Sequence, residues 1–133
     1  GVRLSGATNK IISLLEKYKF PTLVTWAGLD MLNDNHSLNY GRAGVYGNRS
    51  ANFVLQNSDL VIAIGNRMAI PTIGYEHDEF ARKAKIIQID IDKSELEIRP
   101  RFWMILKIRR SVASRLIILE YPFINIENFI NLF

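Results

Sequence analysis

The 133-residue sequence contains no cysteine. That excludes a disulfide framework, a thiolate metal site and a cysteine nucleophile together. Long apolar runs are also missing: the longest span a few residues, far short of the roughly 20 a membrane-crossing helix needs. The opening GVRLSGATNK lacks the basic and apolar regions of a signal peptide. His36 and His77 do not stand in HExxH-type spacing, so no metal site is expected. There is no Gly-x-Ser-x-Gly elbow and no Gly-Lys-Ser/Thr phosphate loop. The expectation is a soluble, cytoplasmic protein with no membrane partner and no catalytic acid, base or nucleophile of its own.

What is present reads as a globular domain. The length fits one compact unit, and 48% of the residues are apolar. The net charge of +4 is unevenly placed. Residues 1–98 hold 11 basic and 11 acidic side chains, whereas residues 99–133 hold six and two. The six are Arg99, Arg101, Lys107, Arg109, Arg110 and Arg115. They are interleaved with Phe102, Trp103, Met104, Ile105 and Leu106 and match no nucleic-acid-binding motif, so no specific nucleic acid is expected. A basic arm for anionic partners is the weaker alternative.

The periodicity predicts an α/β layered fold. Ile11, Leu14, Leu15 and Tyr18 recur at helical spacing over 7–18. Pro21 breaks that helix, and Thr22–Trp26 follows as a short strand. Residues 27–47 read as loop, and a second helix is expected over 48–57, capped by Asn48 or Ser50. The continuous run Leu60–Ile64 has the composition of a parallel strand covered on both faces. A helix over 78–84 and a strand over 85–90 complete the alternation. A sheet of this type opens with a strand leading into a glycine turn, whereas this sequence opens at the turn, so the first strand is expected to be truncated. Beyond residue 98 the alternation fades, apart from a possible terminal helix with Phe129, Ile130 and Phe133 on one face.

In open α/β sheets, ligands sit beyond the carboxyl ends of the strands. Three such ends are readable: Thr25-Trp26-Ala27, Gly65-Asn66-Arg67 and Asp90-Ile91-Asp92. Glycine permits close backbone approach, arginine can pair with a phosphate, and a carboxylate can accept from ribose hydroxyls. Together they describe a nucleotide-type crevice. Taken singly, Gly65 also reads as a turn, Arg67 as a surface ion pair and Asp90 as a cap. The glycine-rich stretch 41–49 leads into a helix, where free N–H groups with Arg42 and Arg49 would favour an anion. Its alternative is a structural loop packed on a neighbouring domain. Glu76, Asp78 and Glu79 read as a solvated face.

The run GRAGVYGNRSANFVLQNSDLVIAIGNRM followed by AKIIQIDIDKSE resembles the central domain of thiamine-diphosphate-dependent enzymes, in the acetolactate synthase-like branch. The opening GVRLSGA, TWAGLDMLNDNHSLNYG and FARKAK add to the likeness, which covers residues 1–97. The resemblance implies a Rossmann-like three-layer domain with a parallel sheet, occupying residues 1–98. Residues 99–133 are then a divergent basic and apolar tail, or the altered end of the same domain. It also implies a parent enzyme that cleaves a 2-oxo acid carbon–carbon bond and transfers the fragment. Flanking domains there bind thiamine diphosphate with magnesium, the central domain scaffolds a homo-oligomer, and some members bind FAD in it. Residue by residue, the cofactor-side matches are Thr25 and Trp26, Tyr46 where a histidine is common, Gly65 and Arg67, and Asp90 with Ile91. Met68-Ala69-Ile70-Pro71 departs from the Phe-Asp-Asp-Arg of flavin-binding members, which weighs against FAD. No Gly-Asp-Gly motif is present, so the chain alone is expected to be inactive. The alternative from another class is a stand-alone FAD- or NAD-type nucleotide-binding module.

Overall fold

A computed structural model describes residues 1–97 and 104–107. The first helix, α1 (Thr8–Tyr18), turns Ile11, Leu14 and Leu15 inward and stops at Lys19. Lys19 adopts the left-handed conformation, and its N–H bonds the Leu15 carbonyl. The strand β1 (Thr22–Val24) pairs in parallel with β2 (Asn39–Arg42). Helix α2 (Arg49–Gln56) buries Ala51 and Leu55. A second parallel sheet runs in the order β3 (Leu60–Ile64), β4 (Lys85–Asp90), β5 (Met104–Lys107). Short helices α3 (Ile70–Ile73) and α4 (Lys93–Glu97) connect its strands.

Two apolar clusters place the layers. Leu55 of α2, Met68, Ile73, Phe80, Ala81 and Ile86 pack together with Ala63, flanked by Leu23 and Val61. Val2, Ile11, Leu15, Leu32 and Leu38 form the other, flanked by Ile64. Side chains of a strand alternate between faces, so Val61 and Ala63 point to the α2 side and Ile64 to the α1 side. Helices therefore cover β3 from opposite faces, the arrangement of a Rossmann-like three-layer α/β domain.

Several elements differ from those the periodicity predicts. The first strand ends at Val24, and Trp26–Gly28 forms a 3-10 turn in place of its last residues. Residues 39–42 are a strand although Asn-Tyr-Gly-Arg carries no β-branched residue. Pairing with β1 and side-chain bonds along its outer edge hold it there. The helix expected over 78–84 does not form: a 3-10 turn covers His77–Glu79, and Ala81 takes φ +44°. Phe80 and Ala81 are consecutive and both buried in one cluster. Phe80 is extended and Ala81 takes a positive φ, and this backbone turn in place of a helix sets both side chains into that cluster. β5 lies where the helix–strand alternation fades in the sequence, and the terminal helix around Phe129 falls outside the described residues.

Candidate functional site

The strand tips divide into two neighbourhoods. At the first, β3 and β4 end side by side, tied by a 2.7 Å bond from the Gly65 N–H to the Ile89 carbonyl. This brings Gly65, Arg67, Asp90 and Ile91 together. Gly65 takes φ +55°, and a Cβ built on it would lie 2.8 Å from the Gly1 Cα and 3.0 Å from the Val2 nitrogen. Glycine is required here for two reasons, its conformation and the backbone lying against it. The Arg67 Nε sits 2.8 Å from the Glu95 carboxylate on α4, a partner that no motif in the sequence points to. Asp90 Oδ1 accepts the Asp92 N–H, and Asp92 Oδ1 accepts from the backbone and hydroxyl of Ser94, capping α4. Ile91 is 52% exposed.

Behind this tip lies Gln88, fully buried on β4. Its Nε2 donates to the Asn66 carbonyl at 3.4 Å, while its Oε1 has no partner among the described residues. Asn66 in turn accepts the Met68 N–H through its side chain, holding Met68 at φ +53° with its side chain in the core. Met68, which departs from the flavin-binding pattern, is thus a packing residue.

At the second neighbourhood, Thr25 is half-buried beyond β1, and Trp26 is 58% exposed. The Arg42 guanidinium lies 5.1 Å from the Trp26 ring centroid, a cation–π contact. Beside it an open cleft of about 430 Å³ runs along β2, lined among others by Asp34, Asn39, Tyr40, Arg42, Asn48 and Ser50. Asp34, Asn39 and Tyr40 fall in the TWAGLDMLNDNHSLNYG segment of the likeness, but no site reading in the sequence singles them out. Only the folding of the loop against β2 assembles them.

Tyr46 stands apart, exposed on the loop that follows β2. That loop is the stretch whose free N–H groups the sequence offers to an anion, and most of them are already bonded. The Gly41 N–H goes to Asn39 Oδ1, the Arg42 N–H to Asn48 Oδ1 and the Gly44 N–H to Asn52 Oδ1. The Asn52 amide returns a bond to the Gly44 carbonyl. The Val45 N–H bonds the Pro71 carbonyl, and the N–H groups of Gly47 and Asn48 bond within the loop. Asn48 holds the N-cap position of α2, yet its side chain makes no capping bond and braces β2. Ser50 likewise reaches the Tyr40 carbonyl. The loop is stitched rather than open.

Comparison with known proteins accords with this geometry. The family model described as thiamine pyrophosphate enzyme, central domain, matches residues 1–114. A probable acetolactate synthase large subunit from Methanococcus aeolicus is 40% identical over 96 residues. The acetolactate synthase isozyme 1 large subunit of Escherichia coli (strain K12) is 41% identical over 90 residues. The alignments cover 72% and 68% of this chain, and 16% of each relative, so the chain spans about a sixth of those proteins. An α/β domain with parallel strands, matched by the family model across most of its length, belongs to the thiamine pyrophosphate enzyme central-domain family.

Proposed function

We propose that this chain is the central scaffold of an acetolactate synthase-like enzyme and is not catalytic alone. In this reading the parent cleaves a 2-oxo acid carbon–carbon bond and passes the fragment to an acceptor. Thiamine diphosphate, when bound by flanking domains with magnesium, supplies the carbanion chemistry. Among the described residues no three His, Asp or Glu side chains gather into a metal-binding group. The chain's own residues hold strand tips and loops in register for the domains that flank it and for a homo-oligomer.

One observation supports the scaffold role above all: the polar groups of the β3–β4 tip are engaged within the fold. Arg67 pairs with Glu95, Asp90 holds the turn into α4, and the Gly65 backbone lies against Gly1 and Val2. Residues 99–133 are read as the divergent end of the same domain, consistent with β5 joining β4 in parallel. The stand-alone nucleotide module is the second reading, favoured by the exposed Trp26–Arg42 stack and the exposed Ile91. Isothermal titration of the 133-residue chain with FAD, NAD and ADP separates the two. The scaffold reading expects no micromolar binding and no pyruvate turnover by the chain alone. Micromolar affinity for any of the three ligands would favour the module, and turnover of pyruvate would overturn both.

A further inference from the structure

We propose that His36 is a proton-operated clasp on the loop from β1 to β2: its neutral ring anchors the entry of β2, and protonation releases that anchor. The imidazole reaches in two directions. Its Nδ1 accepts the Leu38 N–H at 3.2 Å, and its Nε2 lies 3.5 Å from the Glu16 carboxylate on α1. A ring nitrogen that accepts an N–H carries no proton, so the neutral ring holds its proton on Nε2, toward Glu16. The side chain is 22% exposed, which leaves it open to solvent protons.

The anchor matters because of what it fastens. Leu38 is buried in the α1-side cluster, and its carbonyl accepts the Thr22 N–H at 2.7 Å where β2 meets β1. The next residue, Asn39, opens β2 opposite Thr22, and its N–H bonds the His36 carbonyl at 2.8 Å. The His36 N–H bonds the Asn33 carbonyl at 2.9 Å. Backbone and ring of this one residue therefore tie the loop to the first residue of β2 and, through Glu16, to α1. Among the described residues Glu16 is the charged group in contact with the ring. Lys17, next on that helix, lies over the Tyr18 ring, and Asp34 on the loop itself lines the cleft along β2.

The residue type turns an anchor into a switch. A side-chain acceptor bonded to the N–H two residues on is an Asx-turn pattern, which the chain otherwise builds with asparagine or aspartate: Asn33 to Asn35, Asn39 to Gly41, Asn66 to Met68 and Asp90 to Asp92. An amide or carboxylate oxygen stays an acceptor near neutral pH. Histidine Nδ1 does not, because the proton that makes the ring cationic occupies that lone pair. The Leu38 N–H then faces a second donor and its bond is lost, while the cationic ring gains a charge-assisted contact with Glu16. Acidification exchanges a backbone anchor for an ion pair and frees the entry of β2, whose Asn39 and Tyr40 line the cleft.

NMR on the full 133-residue chain tests this at two levels. Ring nitrogen shifts at about pH 8 should show the His36 proton on Nε2, and a proton on Nδ1 would overturn the proposal. Amide exchange is then followed from about pH 8 to about pH 5, the range in which histidine ordinarily changes charge, and corrected for the intrinsic pH dependence of exchange. The corrected rate at Leu38 should rise about threefold or more as the His36 ring protonates, with Asn39 following. The Gly65 amide, bonded to Ile89 at the β3–β4 tip, should stay unchanged. His36→Asn supplies an oxygen acceptor that does not titrate, so its Leu38 amide should stay protected throughout. A Leu38 rate that fails to track the His36 titration, an acceleration shared by Gly65, or the same acceleration in His36→Asn would each overturn the clasp.

Discussion

Replacing Gly65 by alanine tests the contact on which the β3 tip depends. Two costs combine. Left-handed backbone at φ +55° costs an L-residue about 1–2 kcal/mol. The new Cβ would also stand 2.8 Å from the Gly1 Cα, and the atoms it meets are backbone, so the first residues must lift away. Lifting them exposes Val2, which is 7% exposed and packs against Ile11 and Leu15 in the α1-side cluster. Losing that burial costs about 1.5–3 kcal/mol more. Urea unfolding followed by circular dichroism should show a loss of about 3–4 kcal/mol, a midpoint shift of about 1.5–2 M at a slope near ~2 kcal/mol/M. Lys19 supplies the control, because it holds φ 56° at the end of α1. Lys19→Gly relieves a left-handed residue and adds glycine entropy, for a net gain of about 0.5–1 kcal/mol. A Gly65→Ala loss no larger than ~1 kcal/mol, with the Val2 methyl resonances unmoved, would refute the close approach.

Three further outcomes follow from single side chains. Leu14→Ala empties a position 2% exposed on the inner face of α1 and should cost about 2–5 kcal/mol by the same unfolding measurement. Asn48→Ala removes the acceptor of the Arg42 N–H at the edge of β2 and should cost about 0.5–1.5 kcal/mol, whereas Asn48→Asp keeps the acceptor and most of the stability. The Arg3 guanidinium, hydrogen-bonded to Asp30, holds that carboxyl below its ordinary range. A depressed folded value means the pair contributes fully above the ordinary carboxylate range and is lost as pH falls through the lowered value. Carboxyl NMR titration should show Asp30 rising toward the ordinary range in Arg3→Ala, with the lowering by its backbone hydrogen bond retained.

Legibility in the sequence followed the source of each element's stability. α1 and β4 were readable because their own side chains decide them: an apolar stripe at helical spacing, and the run Lys85–Asp90 with Ile86 and Ile89 buried. β2 was not, because Asn39 and Gly41 disfavour a strand and only Tyr40 favours one, so β2 exists through pairing and through Asn39 and Asn48 bracing its edge. The helix expected over 78–84 failed for the complementary reason. In its place Phe80 is extended and Ala81 takes φ +44°, and this backbone sets both side chains in the α2-side cluster. At the tips, the glycine, arginine and aspartate were visible as residue types. Their partners were not, since Glu95 and the Gly1–Val2 backbone reach them only through tertiary packing.

The glycine-rich loop shows why residue types alone point two ways. Gly41, Gly44 and Gly47 interspersed with Arg42 and Arg49 have the composition of an anion cradle, and a cradle needs N–H groups that converge on empty space. Three asparagines at 39, 48 and 52 take three of those donors instead, and the Pro71 carbonyl takes a fourth. The glycines are still needed, but for contact with the protein itself: a Cβ on Gly44 would lie 2.1 Å from the Pro71 carbonyl, and one on Gly41 2.5 Å from Asn48 Oδ1. An anion entering this loop would have to displace bonds of 2.7–3.0 Å that tie it to β2, α2 and α3. Each such exchange forfeits an intramolecular bond worth about 0.5–1.5 kcal/mol, so binding there works against the fold. A loop whose donors are spent on its own frame accords with the scaffold role proposed above.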